Sequence, residues 1–449
     1  MASPWILLQR KVSFVQGEVE PVRSTRRASK PAAEVADWRR KETLEEAADA
    51  MAANLEAMRP VPQLFDPPVV NQLSMVQQMD ARHKVPQMDG IHGGRVSCTD
   101  KALVLLYVGG YQPGFSNNPL TGCYLVYDAS NNSLSAIPQL PDPDSFFGLG
   151  RGAAILSSDE GTYMVAELVE ASSGFPKAVL FLWQSCRRKW IRRHVHLPKV
   201  FSPDYFFRID MAFTHADSQV CWVDLLKGVL ICNLKEPTEP EFTFVELPMG
   251  FSIDIPHGRR PRTEEFRTMG SVGGAIKFAT LHGYYEELSC EEVLLKTWTL
   301  SHDLKCWVAG KDVCVSDLCD SFAIKNLPKA TPSCPVLCVD KPEVVYVVLD
   351  EIDSVDVVDV LGYVSGEDNI CKAQYVIGLD TKKKQVISCA KSVPDRMTPQ
   401  FSNLIATEFK AHLQRPMEVT LPSSFLFRPT LFLASSWFHF AIINLGILY

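Results

Sequence analysis

The sequence predicts an all-β fold, an antiparallel β-propeller-like domain of about six blades, with a short N-terminal helix and a hydrophobic C-terminal tail. Three observations predict it. Val220–Pro248 reads VCWVDLLKGVLICNLKEPTEPEFTFVELP: two short runs of β-branched and aromatic residues flank a turn from Asp224 to Gly228, and a third run, Phe242–Leu247, ends at Pro248. The same order of strand, Asp or polar turn, strand and Pro returns at Cys123–Pro141, Val179–Pro198 and Ala373–Pro394. No long helical stretch separates these hairpins, which argues against a parallel α/β sheet. Roughly two dozen candidate strands, taken four to a blade, give the blade number.

Taken in order, residues 1–20 supply an N-terminal strand within Trp5–Phe14, expected to close the ring against a segment from the other end of the domain. Residues 21–95 read as a basic linker, a helix and a Pro-rich loop. Thr43 and Glu46 make a capping box, Leu44, Ala48, Met51, Leu55 and Met58 form one apolar stripe, and Pro60 stops the helix. The helix either packs on the β domain or binds a partner. Pro60–Gly94 then reads as loop. The β pattern occupies residues 96–413 and ends in a short helix, Gln400–Leu413, with Leu404, Ile405, Phe409 and Leu413 on its apolar side. Residues 414–449 are a linker and an apolar tail.

Composition bounds the partners. Of 449 residues, 46% are hydrophobic and 22% charged, an ordinary globular balance that can bury a large core. A net charge of −7 gives no global attraction to nucleic acid or to an anionic membrane. The apolar run before Arg10 and Lys11 is too short for a signal-peptide core, so a cytoplasmic or nuclear location is expected and the 13 cysteines read as free thiols. Pro429–Tyr449 contains no Asp, Glu, Lys or Arg, and its 21 residues are enough for a membrane-crossing helix. Ser435, Ser436, His439 and Asn444 weaken that reading. A tail anchor, a tail packed on the domain and a misassigned exon all remain open.

WILLQRKVSF at Trp5–Phe14, GTYMVAEL at Gly161–Leu168, VCWVDLLKGVLICNL at Val220–Leu234 and LLKTWTLSHDLKCW at Leu294–Trp307 carry a family resemblance. Together they resemble the plant, largely grass-expanded family known as domain of unknown function 1618, over roughly Trp5 to Leu413. The last block also resembles segments of F-box-associated propellers, although no F-box precedes the β region. The resemblance implies a β-propeller-like domain and carries over no activity, ligand or catalytic residue.

Chemistry-bearing motifs are sparse. Gly270–Gly274 lacks the Lys and helix of a phosphate loop and reads as a turn. Cys314, Cys319, Cys334 and Cys338 are the best metal candidate, two thiol pairs that faintly resemble zinc spacing, yet Cys338 sits in an apolar strand-like run where a buried thiol needs no ligand role. Arg187–His194 gathers five basic residues around Trp190 and reads as a solvated hairpin tip, with phosphate binding or nuclear import as the alternatives. His194 and His196 would share a strand face without a third ligand. The acidic stretch Asp350, Glu351, Asp353, Asp356 and Asp359 lacks the glycine and closing Glu of a calcium loop. No catalytic, cofactor or metal residue is assigned and no cofactor is expected. The expected function is a non-catalytic protein-interaction module with a protein partner, nucleic acid being unfavoured and a membrane contact confined to the tail. The alternative is a small-ligand binder or enzyme using the propeller channel; convergent His, Asp, Glu or Arg there would favour it.

Overall fold

Six small sheets hold nearly all the regular structure of the computed structural model, which describes residues 3–16, 52–77, 93–108, 122–141, 149–158, 161–170, 177–198, 200–201, 207–234, 240–255, 260–318, 325–358, 364–393 and 403–413. Five of the sheets are antiparallel meanders that follow one another along the chain. The first contains Gly94–Asp100, Leu103–Val108, Cys123–Asp128 and Ser133–Ile137. The second contains Ala153–Ser157, Tyr163–Glu170, Lys177–Gln184 and Lys189–His196. The third contains Met211–His215, Gln219–Asp224, Gly228–Asn233 and Phe242–Glu246. In the fourth, Arg267–Val272, Ala275–His282, Leu294–Leu300 and Trp307–Ala309 pair in turn, with Val313–Cys314 also on Leu294–Leu300. The fifth contains Ser333–Leu337, Val344–Val358, Val364–Asp380 and Gln385–Ser392.

The sixth sheet is assembled from both ends of the described chain. Leu404–Thr407 pairs antiparallel with Ile6–Gln9, which lies parallel to Val70–Asn71. Beyond Arg10 the strand continues as Lys11–Gln16, parallel to Leu73–Gln77, which in turn pairs with Met58–Pro62. Val12 also meets Gly94, so the sixth sheet is hydrogen-bonded to the first. The opening strand of each sheet touches that of the next, from Gly94–Asp100 through Ala153–Ser157, Met211–His215, Arg267–Val272 and Ser333–Leu337 to Leu404–Thr407. That radial succession is the arrangement of a β-propeller.

The core is correspondingly split into layers between neighbouring sheets. Leu105, Tyr124, Ile155, Leu180 and Trp222 join the first three sheets, Phe278 and Trp298 pack with Val229 between the third and fourth, and Leu295 packs with Val347 between the fourth and fifth. Trp5 and Leu7 meet Tyr346 between the fifth and sixth, while Ile6 and Leu8 meet Val104 and Leu125 between the sixth and first. A strand buried on both faces explains runs such as Leu103–Val108, every residue of which is buried. Indole N–H groups tie the layers together. Trp190 donates to Pro138 O at 2.9 Å, Trp222 to Gly152 O at 2.8 Å and Trp307 to Glu246 O at 2.7 Å, each across to the preceding sheet.

Several sequence expectations are corrected. Residues 52–56 are helical, but Met58 and Pro60 belong to a strand rather than to the end of the helix; Pro is tolerated there because Met58–Pro62 is the outer edge of its sheet. The upstream stripe residues Leu44, Ala48 and Met51 lie outside the described residues. Pro60–Gly94 is not simply loop, since Val70–Asn71 and Leu73–Gln77 complete the sixth sheet. Leu404–Thr407 is a strand followed by a 3₁₀ turn, Phe409–His412, because pairing with Ile6–Gln9 outweighs the local helical spacing. The repeated hairpins are also not equivalent. Asp128 and Asp380 stand at the turn between third and fourth strands of their sheets, whereas Asp224 stands between second and third. The apolar tail lies outside the described residues.

One buried carboxylate makes the fold pH-sensitive. Glu167, 1% exposed, accepts hydrogen bonds from Tyr124 Oη of the first sheet and from Gly150 N at 2.6 Å. Gly150 itself is required, because its φ is +77° and a Cβ would lie 2.4 Å from the Tyr107 ring. Burial pushes the Glu167 carboxyl up to about 7, although both hydrogen bonds oppose the shift. The folded state therefore holds this proton more tightly than the unfolded chain. Its stabilising effect is complete below the ordinary Glu pKa and is lost as pH rises through about 7. Between pH 5 and pH 8, wild type should lose up to about 3 kcal/mol relative to Glu167→Gln, read from urea midpoints. Parallel pH profiles for the two proteins would refute the assignment.

Candidate functional site: an arginine-lined channel mouth

The opening strands of the sheets run along the ring interior, so charged residues placed at their starts converge on one rim. Arg95 lies in Gly94–Asp100, Arg151 two positions before Ala153, Asp210 one before Met211 and Glu264 three before Arg267. Arg10 enters from the break between the two halves of the N-terminal strand. Its Nη1 donates to Val96 O at 3.0 Å and to Ser97 O at 2.7 Å, closing the seam between the sixth and first sheets. Arg267 does the same elsewhere, donating through Nη1 to Leu225 O at 2.8 Å and Phe251 O at 2.9 Å.

Two carboxylates are locked in place by the hairpin that is so plain in the sequence. Asp224, fully buried, accepts from Leu226 N at 2.8 Å, which shapes the turn, and from Arg208 N at 2.8 Å. The turn cannot tolerate a side chain at Gly228, where a Cβ would lie 2.3 Å from Val245 O. Asp210 accepts from Leu225 N at 2.9 Å. Arg260 Nη2 spans both acids, 2.7 Å from Asp224 Oδ1 and 2.5 Å from Asp210 Oδ2. Against burial, these two carboxylates hold Arg260 more firmly protonated than usual.

Glu264 is held more loosely. It stands on the 3₁₀ turn Thr263–Glu265, with Arg95 Nη2 at 3.7 Å and Arg151 Nη1 at 3.9 Å, both beyond hydrogen-bonding range. Although burial would raise it, those two guanidiniums hold its carboxyl below the usual range. Burial, and then the charge of Arg10, lowers Arg95 to about 9. Arg208 is lowered first by burial and then by Arg151. Six guanidiniums, those of Arg10, Arg95, Arg151, Arg208, Arg260 and Arg267, thus lie near four carboxylates among the described residues, Asp210, Asp224, Glu264 and, beside Arg267, Glu286. Buried Nε atoms of Arg151 and Arg260 have no hydrogen-bond partner. The mouth is an electropositive recess of about 20 Å³ whose unpartnered Nε donors are buried, so a carboxylate, sulfate or phosphate group reaches its guanidiniums by displacing Glu264.

Farther along the interior a cavity of about 470 Å³ is lined by Thr99, Thr214, Thr268, Ser271 and Thr407 together with charges of both signs, among them Asp100, Lys101 and Glu408. A second feature marks the same rim. Ser333 pairs with Val348, so residues 349–358 and 364–373 run on beyond the opening strand of the fifth sheet as a two-stranded ribbon. The acidic stretch lies in this ribbon, where Gln374 donates to Asp350 at 2.6 Å, Tyr375 to Glu351 at 3.0 Å, and Lys372 pairs with Asp353 at 2.6 Å. Asp356 falls within a stretch whose side chains are not described, and Asp359 lies outside the described residues.

The four candidate zinc cysteines are not brought together among the described residues. Cys314 lies at the edge of the fourth sheet with its thiol on Glu291 O, while Cys334 and Cys338 are buried in the layer beneath Trp5, and Cys319 is outside the described residues. Burial pushes both the Cys334 and Cys338 thiols up to about 12. Arg187 and Arg188 occupy an exposed hairpin tip, His194 and His196 an exposed strand face, and Gly273 and Gly274 a tight turn with φ of +56° and +76°. Arg95, Arg151, Arg260 and Glu264 escaped sequence reading because they stand singly in different sheets and loops. Arg95, Arg151 and Glu264 share one signal, a charge at or just before the start of an opening strand, and Arg260, farther upstream of Arg267, lacks it.

The two arginines bound to carboxylates should separate on mutation. Arg260→Ala strands Asp210 and Asp224 in the interior and should cost about 3–5 kcal/mol in urea unfolding. Arg151→Ala, whose partner Glu264 keeps Arg95, should cost about 1 kcal/mol or less. Equal losses would show that the two ion pairs do not differ in this way.

Comparison with solved structures finds remote likenesses. The β-propeller domain of the Trilobed protease from Pyrococcus furiosus is 11% identical over 66% of this chain and 71% of that one, with a TM-score of 0.27. The WD40 domain of SCAP from fission yeast is 11% identical over 69% of this chain and 73% of that one, with a TM-score of 0.31. Saccharomyces cerevisiae Sqt1 is 10% identical over 69% and 77%, also with a TM-score of 0.31. The fold itself rests on the sheets and their registers. No curated protein matches the chain. Residues 222–346, from the second strand of the third sheet into the second strand of the fifth, match the model of the family described as protein of unknown function (DUF1618).

Proposed function

We propose that the chain is a non-catalytic interaction module whose recognition point is the arginine-lined mouth, and that its partner presents an anionic group there. The single observation that carries this reading is the loose hold of Arg95 and Arg151 on Glu264, which leaves charge and donors in a recess already short of carboxylates. The projecting ribbon of the fifth sheet stands on the same rim, and its two outer edges have no strand partner among the described residues. Arginine convergence at the channel is the feature expected of the small-ligand alternative, and it favours an anionic small ligand at this same point. A non-catalytic role is supported by how the reactive groups are held. Each mouth carboxylate faces a guanidinium, and the Cys334 thiol bordering the mouth is pushed up to about 12 by burial.

Titration calorimetry of the full chain with pyrophosphate tests the reading. Binding should weaken about tenfold in Arg151→Ala and fall as salt is raised, because the contact is electrostatic in a partly open recess. Absence of pyrophosphate binding, or binding indifferent to Arg151→Ala, would sink the proposal.

A further inference from the structure

An aromatic pocket adjoins the mouth. Phe266, buried, stacks on Tyr284 with centroids 5.8 Å apart at 11° and on Tyr285 at 5.9 Å and 24°. Tyr285 is 43% exposed, so the slab keeps an open face, and it borders a cavity of about 540 Å³. Polar groups on that cavity are the carboxylates of Glu265 and Glu287, the Thr331 hydroxyl and the Arg262 guanidinium, which lies 3.5 Å from Glu265 and leaves Glu287 as the unmatched acid among the described residues. The wall between mouth and pocket is the Thr263–Glu265 turn. Glu264 faces the arginines, while its neighbours Glu265 and Phe266 face the pocket, and consecutive Cα atoms lie only ~3.8 Å apart.

We infer that the mouth and the aromatic pocket together take a nucleotide, with its phosphate on Arg95 and Arg151 and its base against Tyr284 and Tyr285. This rests on the anion reading of the mouth given above. Each half has its own chemistry. The guanidiniums of Arg95 and Arg151, held to Glu264 only beyond hydrogen-bonding distance, match phosphate oxygens in paired hydrogen bonds. Stacked aromatic rings provide a surface for a planar base, and neighbouring carboxylates accept from an exocyclic amino group such as that of adenine. An acidic pocket would repel a second anion, so the ligand is anionic at one end and a hydrogen-bond donor at the other. Glu264 is the resident competitor for the two arginines, and an incoming phosphate replaces it there.

The test is titration calorimetry of the full chain with adenosine monophosphate and, separately, with inorganic phosphate. The nucleotide should bind about tenfold more tightly than phosphate, the increment expected of one stacked base. Tyr285→Ala should bring nucleotide affinity down to that of phosphate without changing phosphate binding, and Tyr285→Phe should restore it because the ring face is what matters. Glu264→Gln should tighten both ligands. If phosphate binds but the nucleotide binds no better, or if Tyr285→Ala leaves the nucleotide unaffected, the nucleotide inference is overturned and the anion site stands. If neither ligand binds, the anion reading fails and this inference falls with it.

Discussion

The antiparallel pairing of Ile6–Gln9 with Leu404–Thr407 is the constraint on which the rest of the ring depends. Five meanders can form locally, but each buries its faces only when a neighbour covers them, and the first and fifth lack a neighbour until the sixth sheet exists. The sixth sheet in turn needs both chain segments. Ile6, Leu7 and Leu8 are completely buried because alternate residues serve opposite layers, Leu7 toward the fifth sheet and Ile6 and Leu8 toward the first. A non-local closure of this kind carries a loop-closure cost that only the completed layers offset.

Arg10 links that closure to the mouth. Its amide nitrogen donates to Asn403 O, its carbonyl accepts from Val96 N at 2.7 Å, and its guanidinium caps two further carbonyls of the first sheet. Burial lowers its pKa, and its charge is in turn felt by Arg95. The same residue that seals the ring thereby adds to the positive potential of the rim. In the third sheet the turn Asp224–Gly228 has a matching double role, since the carboxylate that fixes the turn is also the anchor of Arg260.

The electrostatic balance of the mouth follows from how firmly each acid is held. Asp210 and Asp224 are saturated by backbone amides and one shared guanidinium, so they stabilise architecture and offer nothing to a ligand. Glu264 sits on a three-residue turn, partly exposed and outside hydrogen-bonding range of its arginines. The difference separates a fully paired ion cluster from a loosely paired one at the same mouth. Net charge gave no sign of this, because a chain of −7 overall can still concentrate arginines where its strands begin.

Local chemistry was legible in the sequence wherever turn and strand signals agree. The Asp224–Gly228 hairpin, the exposed tip at Arg187 and Arg188, the glycine turn at Gly273 and the absence of long helices among the described residues could all be read from neighbouring residues, because period-2 patterns and turn residues act over a few positions. Where the reading failed, a distant partner decided the outcome. Leu404–Thr407 has helical spacing yet becomes a strand against Ile6–Gln9, and Met58–Pro62 continues no helix because Leu73–Gln77 offers a sheet edge. The mouth belongs wholly to this second kind. Arg95, Arg151, Arg260 and Glu264 carry no common spacing, and the ring alone brings together residues that begin different strands. The sequence by itself determined the sheets, through short-range alternation and turn chemistry; tertiary structure decided the closure and the site, because both depend on contacts whose energy appears only once distant strands share a layer.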